Sequence, residues 1–513
     1  MKIDIKSMSK VLLIAALGLF LTNCDDDYLD QDKLGEETSD VYFNSQEKAE
    51  ASVTAAYSDI KDYRFGWFFW AFGETLSDNA VYSGSDSDNS GFESLKTFNG
   101  TADAFQAKYK WMVCYRGINK CCQAIEGIEE MSVDLFDSEA IQLRYIAEAR
   151  AMRAFYHFEL ARAFGRVPIV DHLITTTDET ISQSDVADVY AWIITELESA
   201  EADLPLKSEY SSSDLGRVTQ GFADGLLAKV NLYAENFEDA KTWAKKVIDS
   251  GEYELDDDYA HVFSFDGENG VESIFEINYI ESETETSAYS NNGNFQTLFM
   301  LPRNITYGYG INQPTQDLAD AFDAAGDSVR KAATLLTTDE VYENEISDEV
   351  WDWYYAQTDS DVANDSLDQW KATLTFNRTG YYQEKMYVTP EERASSIRNN
   401  ANNIRVMRYA DVLLMYAEAC YETSEEGNAT WAVNQVRSRA GLTDVTSAGS
   451  DLLDAIYAER RLELAGENDR YHDLVRTDRA SILEYWTEDH KYWPVPQTEI
   501  DNSGGVIVQN PGY

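Results

Sequence analysis

Residues 138–164, SEAIQLRYIAEARAMRAFYHFELARAF, contain no proline or glycine and repeat their apolar side chains at helical spacing. One stripe runs through Ala147, Ala151, Ala154, Phe158 and Ala161, and a second through Tyr145, Met152, Tyr156 and Leu160. A helix that is apolar on two faces must be covered on both, and the alanines let a neighbour come close. Gly165 stands where such a helix should stop, and Val167–Val170 reads as a short extended segment. Only eight prolines occur in 513 residues, and Pro168 alone precedes residue 200. Proline breaks helix interiors, so long helices are expected through the N-terminal part.

Two further stretches predict helix pairs. In residues 228–251, AKVNLYAENFEDAKTWAKKVIDSG, the positions Ala228, Leu232, Tyr233, Phe237, Ala240, Ala244 and Val247 fit the tetratricopeptide pattern. Ile404–Glu422 places Val406, Tyr409, Leu413, Tyr416 and Cys420 at helical spacing, and a second helix is expected around Trp431–Ala440, ended by Gly441. Stacked pairs of this kind build a right-handed scaffold. Residues 254–400 differ: they are rich in Asn, Ser, Thr, Asp, Gly and aromatics, with ESIFEINYI (272–280) alternating as a strand does. A long irregular insertion on a helical scaffold is where binding usually sits. The expected fold is mostly α: a tetratricopeptide-like helix-pair scaffold over 24–253 and 401–513, a long irregular loop insertion over 254–400, and a few short strands.

The chain starts with Lys2, Lys6 and Lys10, then an apolar run from Val11 to Leu21. That run is well short of the roughly 20 residues a membrane span needs and suits a signal peptide over residues 1–23. Leu21-Thr22-Asn23-Cys24 resembles a bacterial lipobox, with Cys24 as the lipidated first residue. The block Asp25–Asp27 reads as a solvated tether and resembles the surface-export signals of Bacteroidetes lipoproteins. The formal charge of −51 repels phosphate backbones and argues against nucleic acid as a partner. It also disfavours anionic ligands unless lysines and arginines gather locally, and so tilts the expectation towards a neutral polysaccharide. The hydrophobic content of 44% is ample for a core, so the acidity is no sign of disorder.

Chemistry is sparser than 92 acidic residues suggest. Glycoside hydrolysis needs one carboxyl kept protonated opposite a second. The conspicuous group Glu459, Glu463 and Asp473 is interleaved with Arg460, Arg461, Arg470 and Arg476, neighbours that lower a carboxyl pKa. A structural ion-pair network is expected, and no enzyme. Neither G-x-S-x-G nor H-E-x-x-H occurs, and of the five histidines His157 and His472 are expected to be packed. Cys114, Cys121, Cys122 and Cys420 lack metal-ligand spacing and read as small buried residues, with a disulfide among them left open. DSDNSG (86–91) begins like a calcium loop, but Thr97 stands where a bidentate Glu is needed. A solvated turn is expected there, a loose calcium site being the alternative; no other cofactor is implied.

Aromatic residues carry the stronger signal. RFGWFFWAFGE (64–74) sets Trp67 and Trp70 beside Gly66, with Phe68, Phe69 and Phe72 expected in the core. The insertion adds Tyr307, Tyr309 and Trp351. Sugar rings stack their C–H faces on such groups, while their hydroxyls need amides or guanidinium nearby. Asn292, Asn294, Arg303 and Asn304 meet that need in sequence. A platform drawn from Trp67, Trp70, Tyr307, Tyr309 and Trp351, with those four polar residues, is the expected ligand site.

Seven segments together resemble the SusD/RagB-type outer-membrane nutrient-binding lipoproteins of Bacteroidetes. They are CDDDYLD, RYIAEARAMRAFYHFELARAFGRVPIV, ESIFEINY, NIRVMRYADVLLMYAEAC, VNQVRSRAGL, AERRLELAGENDRYHDLVR and the terminal WPVPQTEI with QNPGY, in the family's order. The resemblance implies a SusD-like helical fold with ligand loops, lipid-anchored on the outer-membrane surface beside a SusC-like TonB-dependent transporter. It implies capture of oligosaccharides for delivery to that transporter; a peptide-binding RagB-like role, or a structural lid on the transporter, is the alternative.

Overall fold

The computed structural model describes residues 42–83, 90–176, 179–281, 292–303, 308–345, 378–394 and 399–513; Cys24 and the expected signal segment lie outside them. The long helix runs Glu139–Phe164 and buries nearly every residue from Ala147 onward. It packs against Phe105–Glu129 and against Val186–Glu201, so its two apolar stripes are both used. Phe155, Phe158, Leu160 and Phe164 are each at most 3% exposed, and burying a side chain of that size contributes roughly 1.5–3 kcal/mol. The close crossing with Phe105–Glu129 depends on Gly117, because a Cβ there would lie 2.4 Å from the Tyr156 ring. Gly165, at φ +70°, ends the helix as expected.

From this helix the scaffold continues pair by pair. Val186–Glu201 packs on Gln220–Tyr233, that helix on Phe237–Ser250, and Phe237–Ser250 on Tyr409–Glu422. Glu426–Arg439 and Ser450–Glu463 close the series. The chain thus leaves the helical stack at Ser250 and re-enters it at Tyr409. Between those points the described residues form short helices (Phe295–Met300, Gln316–Ala325, Ser328–Thr334, Thr338–Glu345) and short strands.

One expectation needs correcting. Ile404–Arg408 is not the first turn of a helix but a strand, antiparallel to Ser273–Ile277, with Ser273 opposite Arg408 and Ile277 opposite Ile404. The expected strand in 272–280 is therefore present, and its partner is the segment read as helical. The reason is tertiary: the strand docks against Gln220–Tyr233 so closely that a Cβ on Gly225 would lie 2.5 Å from Met407 Sδ. The ladder is buried along Ser273–Ile277. The helix then starts at Tyr409, whose N–H donates to Glu272 O at 2.9 Å.

Charged residues are buried in quantity, and most of them are paired. Arg408, 1% exposed, donates to Glu272, to Glu463 at 3.0 Å and to Glu467 at 2.6 Å. Arg330 pairs with Glu459 at 2.7 Å and Glu463 at 2.9 Å, and Arg439 with Glu272 at 2.9 Å. A second set joins distant parts of the chain: Lys229 and Arg162 both hold Asp469, Lys229 reaches Asp411 at 3.0 Å, and Arg460 holds Asp473 at 2.7 Å. Breaking one partner of such a pair costs about 3–5 kcal/mol, because a lone buried charge remains.

Candidate functional site

The aromatic stretch forms the helix Tyr63–Trp70 and runs directly into a π-helical turn, Ala71–Thr75. Such wide turns often mark functional positions. This one is held by the C-terminal region: Gly466 N–H donates to Glu74 at 3.0 Å, and Gly73 packs against the Asn468 carbonyl so tightly that a Cβ would fall 1.6 Å from its oxygen. Burial pushes the Glu74 carboxyl up to about 7, although Gly466 and Asn79 favour its charged form.

Trp70 does not present a face to a ligand. It is fully buried, stacked on Phe92 at 5.2 Å and 26°, with Phe299 6.2 Å away. It faces the core, where Phe69 and Phe72 also lie as expected. Asn294 is likewise structural. Fully buried, it caps Phe295–Met300 through Oδ1 and donates its amide to Asn402 O at 2.8 Å. Trp67 lies on the helix, but its side chain is outside the described residues, as are Asn304, Tyr307 and Trp351 altogether. So are residues 86–89 of the calcium-like stretch 86–91.

Three candidates remain in view. Tyr309 is half-buried and stacked on Phe299 at 5.3 Å and 19°. Asn292 accepts the Ile280 N–H at 2.8 Å through its carbonyl, leaving the side chain out of that contact. Arg303 forms a backbone bridge with Gly308. These residues are brought against the aromatic helix: Tyr63 meets Phe295 edge-on at 5.3 Å, and Gln296 faces Gly66.

The same neighbourhood gathers segments far apart in sequence. Ala80–Val81 pairs with Gln313–Pro314, Arg378 N–H donates to Gln313 at 2.9 Å, and the Arg378 guanidinium lies 3.9 Å from Glu93. A Cβ placed on Gly310 would lie 3.4 Å from both the Arg303 backbone nitrogen and the Tyr382 ring. Tyr82 lies among them, 4% exposed; burial raises its pKa to about 12, while Arg378 and Arg303 pull the other way. Tyr82, Glu93 and Arg378 were not singled out by sequence. Tyr82 and Arg378 stand in unremarkable contexts, NAVYSG and FNRTG, and only pairing across more than 200 residues brings them together.

The expected ion-pair network around Glu459, Glu463 and Asp473 is present. Burial opposes ionisation of Glu463, but Arg439, Arg408 and Arg330 outweigh it and hold the carboxyl well below the usual range. Glu459 departs from expectation: burial wins over Arg330 and Arg437, and its pKa rises. It remains enclosed, 1% exposed, and bonded to two arginines. His157 is fully buried, its Nε2 accepting from Val170 N–H at 3.1 Å and Nδ1 lying 2.8 Å from Arg153 O. Burial lowers its pKa to about 3. His472 is buried too, and depressed for the same reason. The four later cysteines are free and buried. Among the described residues no three His, Cys, Asp or Glu side chains gather as a metal site.

A helix-pair scaffold that carries an irregular face of aromatic, amide and guanidinium groups is the arrangement of a binding protein. The SusD-family profile matches residues 271–491, and a profile described as starch-binding, associating with outer membrane, matches residues 27–232. The chain belongs to the SusD/RagB family. It is 26% identical to SusD-like protein P38 of Formosa agariphila, over 94% of each chain. Its structure is similar to that of a laminarin-binding SusD-like protein, with TM-score 0.77 and 26% identity over 92% of this chain and 100% of that one. It is also similar to surface glycan-binding protein A from Bacteroides thetaiotaomicron in complex with laminarihexaose, with TM-score 0.73 and 25% identity over 90% and 99%.

Proposed function

We propose that the protein is a cell-surface glycan-binding lipoprotein, anchored through Cys24, that hands oligosaccharides to a SusC-like TonB-dependent transporter. The observation that carries this reading is similarity along almost the whole chain to a laminarin-binding protein, joined to an aromatic and polar face on the matching scaffold. Tyr309, with its ring held parallel to Phe299, supplies a stacking surface. Trp67, Tyr307 and Trp351 are the further stacking candidates, and Asn292, Arg303 and Asn304 the candidates for the hydroxyls. Isothermal titration with laminarihexaose and a panel of neutral oligosaccharides tests the binding. Saturable binding of at least one glycan is the expected result; binding of peptides only would replace this reading with a RagB-like one.

A further inference from the structure

Lys61 lies in the turn between the helices Gln46–Tyr57 and Tyr63–Trp70, at a cleft of about 170 Å³. Thr54, Ile60, Leu215, Arg217 and Asn278 line it too. The other charges there are committed. Arg217 holds Glu148 and Glu50 at 3.0 Å each, and Asp214 at 3.3 Å. Glu276 accepts from Asn269 N–H at 3.0 Å and from the Asn403 amide at 2.9 Å, with Arg405 3.7 Å away. Lys61 has neither ion pair nor hydrogen bond among the described residues, and its ammonium lies 5.8 Å from the centre of the Tyr279 ring. In a chain with 92 acidic and 41 basic residues, a half-buried ammonium without a carboxylate is out of keeping with its surroundings. Burial alone lowers its pKa, with no neighbouring charge to oppose the effect.

We propose that this cleft takes the anionic group of an acidic saccharide, a uronate carboxylate or a sulfate ester, on the ammonium of Lys61. The inference rests on the glycan-binding reading and names a ligand class within it. Position favours it: the cleft floor, Ile277–Asn278, continues through Ile280, whose N–H donates to Asn292 O at 2.8 Å. The Lys61 turn leads into Tyr63, which packs on Phe295. A chain lying on the candidate aromatic face therefore has the cleft at its flank, with room there for one sugar unit. The Asn278 amide, which donates to Leu215 O at 3.2 Å, keeps a second N–H for a ring hydroxyl or an anion oxygen. The net negative charge slows the approach of an anion at long range, and an unneutralised cation offsets that repulsion at contact.

The test uses the full mature chain and three probes of matched length: a galacturonate oligosaccharide, a sulfated oligosaccharide and neutral laminarihexaose. Lys61→Gln should weaken binding of an acidic probe roughly tenfold or more, the loss expected for one charge-assisted hydrogen bond. Laminarihexaose affinity and melting temperature should be unchanged, and Lys61→Arg should retain most of the acidic affinity. Which acidic probe responds identifies carboxylate or sulfate as the group recognised. Acidic probes that bind no better than laminarihexaose, or that bind Lys61→Gln as well as the native protein, overturn the inference and leave glycan binding intact. Failure of all three probes to bind overturns the inference, and the wider neutral panel then decides the glycan-binding reading.

Discussion

Trp70 and Tyr309 belong to one aromatic cluster and answer to different physics. Trp70 is enclosed, so Trp70→Ala should cost about 3–5 kcal/mol of stability and lower the melting temperature. Tyr309 has one face on Phe299 and is only half-buried. Tyr309→Ala should instead weaken glycan binding by roughly 1–2 kcal/mol, about tenfold, with a smaller stability change. Calorimetric melting and titration on the same two variants check both statements; glycan affinity lost in neither, or melting lowered equally in both, would count against the assignment. Sequence could not separate these residues. RFGWFFWAFGE is aromatic on every side of the helix, and the Trp70 ring is turned inward by Phe92 and Phe299, which come from other parts of the chain. Asn294 misled for a similar reason: an asparagine before a short helix serves equally as a ligand contact or as a cap, and here it caps.

At the scale of elements, the long helix was legible because small residues at helical spacing leave few alternatives, and Gly165 marks its end. The pair in 220–250 followed from its repeat pattern, although the first helix begins at Gln220, ahead of the quoted stretch. Ile404–Arg408 was illegible. Ile404 and Val406 suit a strand as well as a helix, and the choice lies with a partner more than 120 residues away. The π turn gave no sequence signal apart from its glycine. Gly73→Ala tests its packing directly: the new methyl meets a backbone carbonyl, which cannot rotate away. A loss of about 1–3 kcal/mol or more is expected, measured by urea unfolding. A neutral outcome would mean that the 466–469 segment is free to shift.

Over the whole molecule, burial sets opposite pH trends. Glu463 and Asp469 have folded pKa values below their unfolded ones, against the cost of burial, because Arg439, Arg408 and Arg330 surround the first and Lys229, Arg162 and Arg460 the second. Their stabilisation is present above the unfolded carboxyl value and is lost as pH falls below about 4. Glu74, Asp224 and Glu384 are raised to about 7 by burial. What they contribute is present below the unfolded value and lost as pH rises towards 7. Glu74→Gln keeps an acceptor for Gly466 N–H and removes one such loss. It should melt like the native protein at pH 4.5 and higher than it at pH 8, by on the order of 2–3 kcal/mol at most. Parallel melting curves from pH 4.5 to 8 would contradict the assignment.

The contacts among Val81, Gln313, Glu93 and Arg378 hold to one frame described residues that are far apart in sequence. On the proposed ligand face, a frame of this kind would make recognition modular. Selection could then rewrite what lies between those residues while the ladder and the buried ion pairs go on deciding whether the chain folds. Exchanging residues 346–377 for the corresponding stretch of a laminarin-binding relative should accordingly move glycan preference towards that relative and leave the melting temperature within a few degrees of the native value. Ligand arrays and melting curves on the chimera would read both effects, and a chimera that fails to fold would mean that the exchanged stretch is part of the frame.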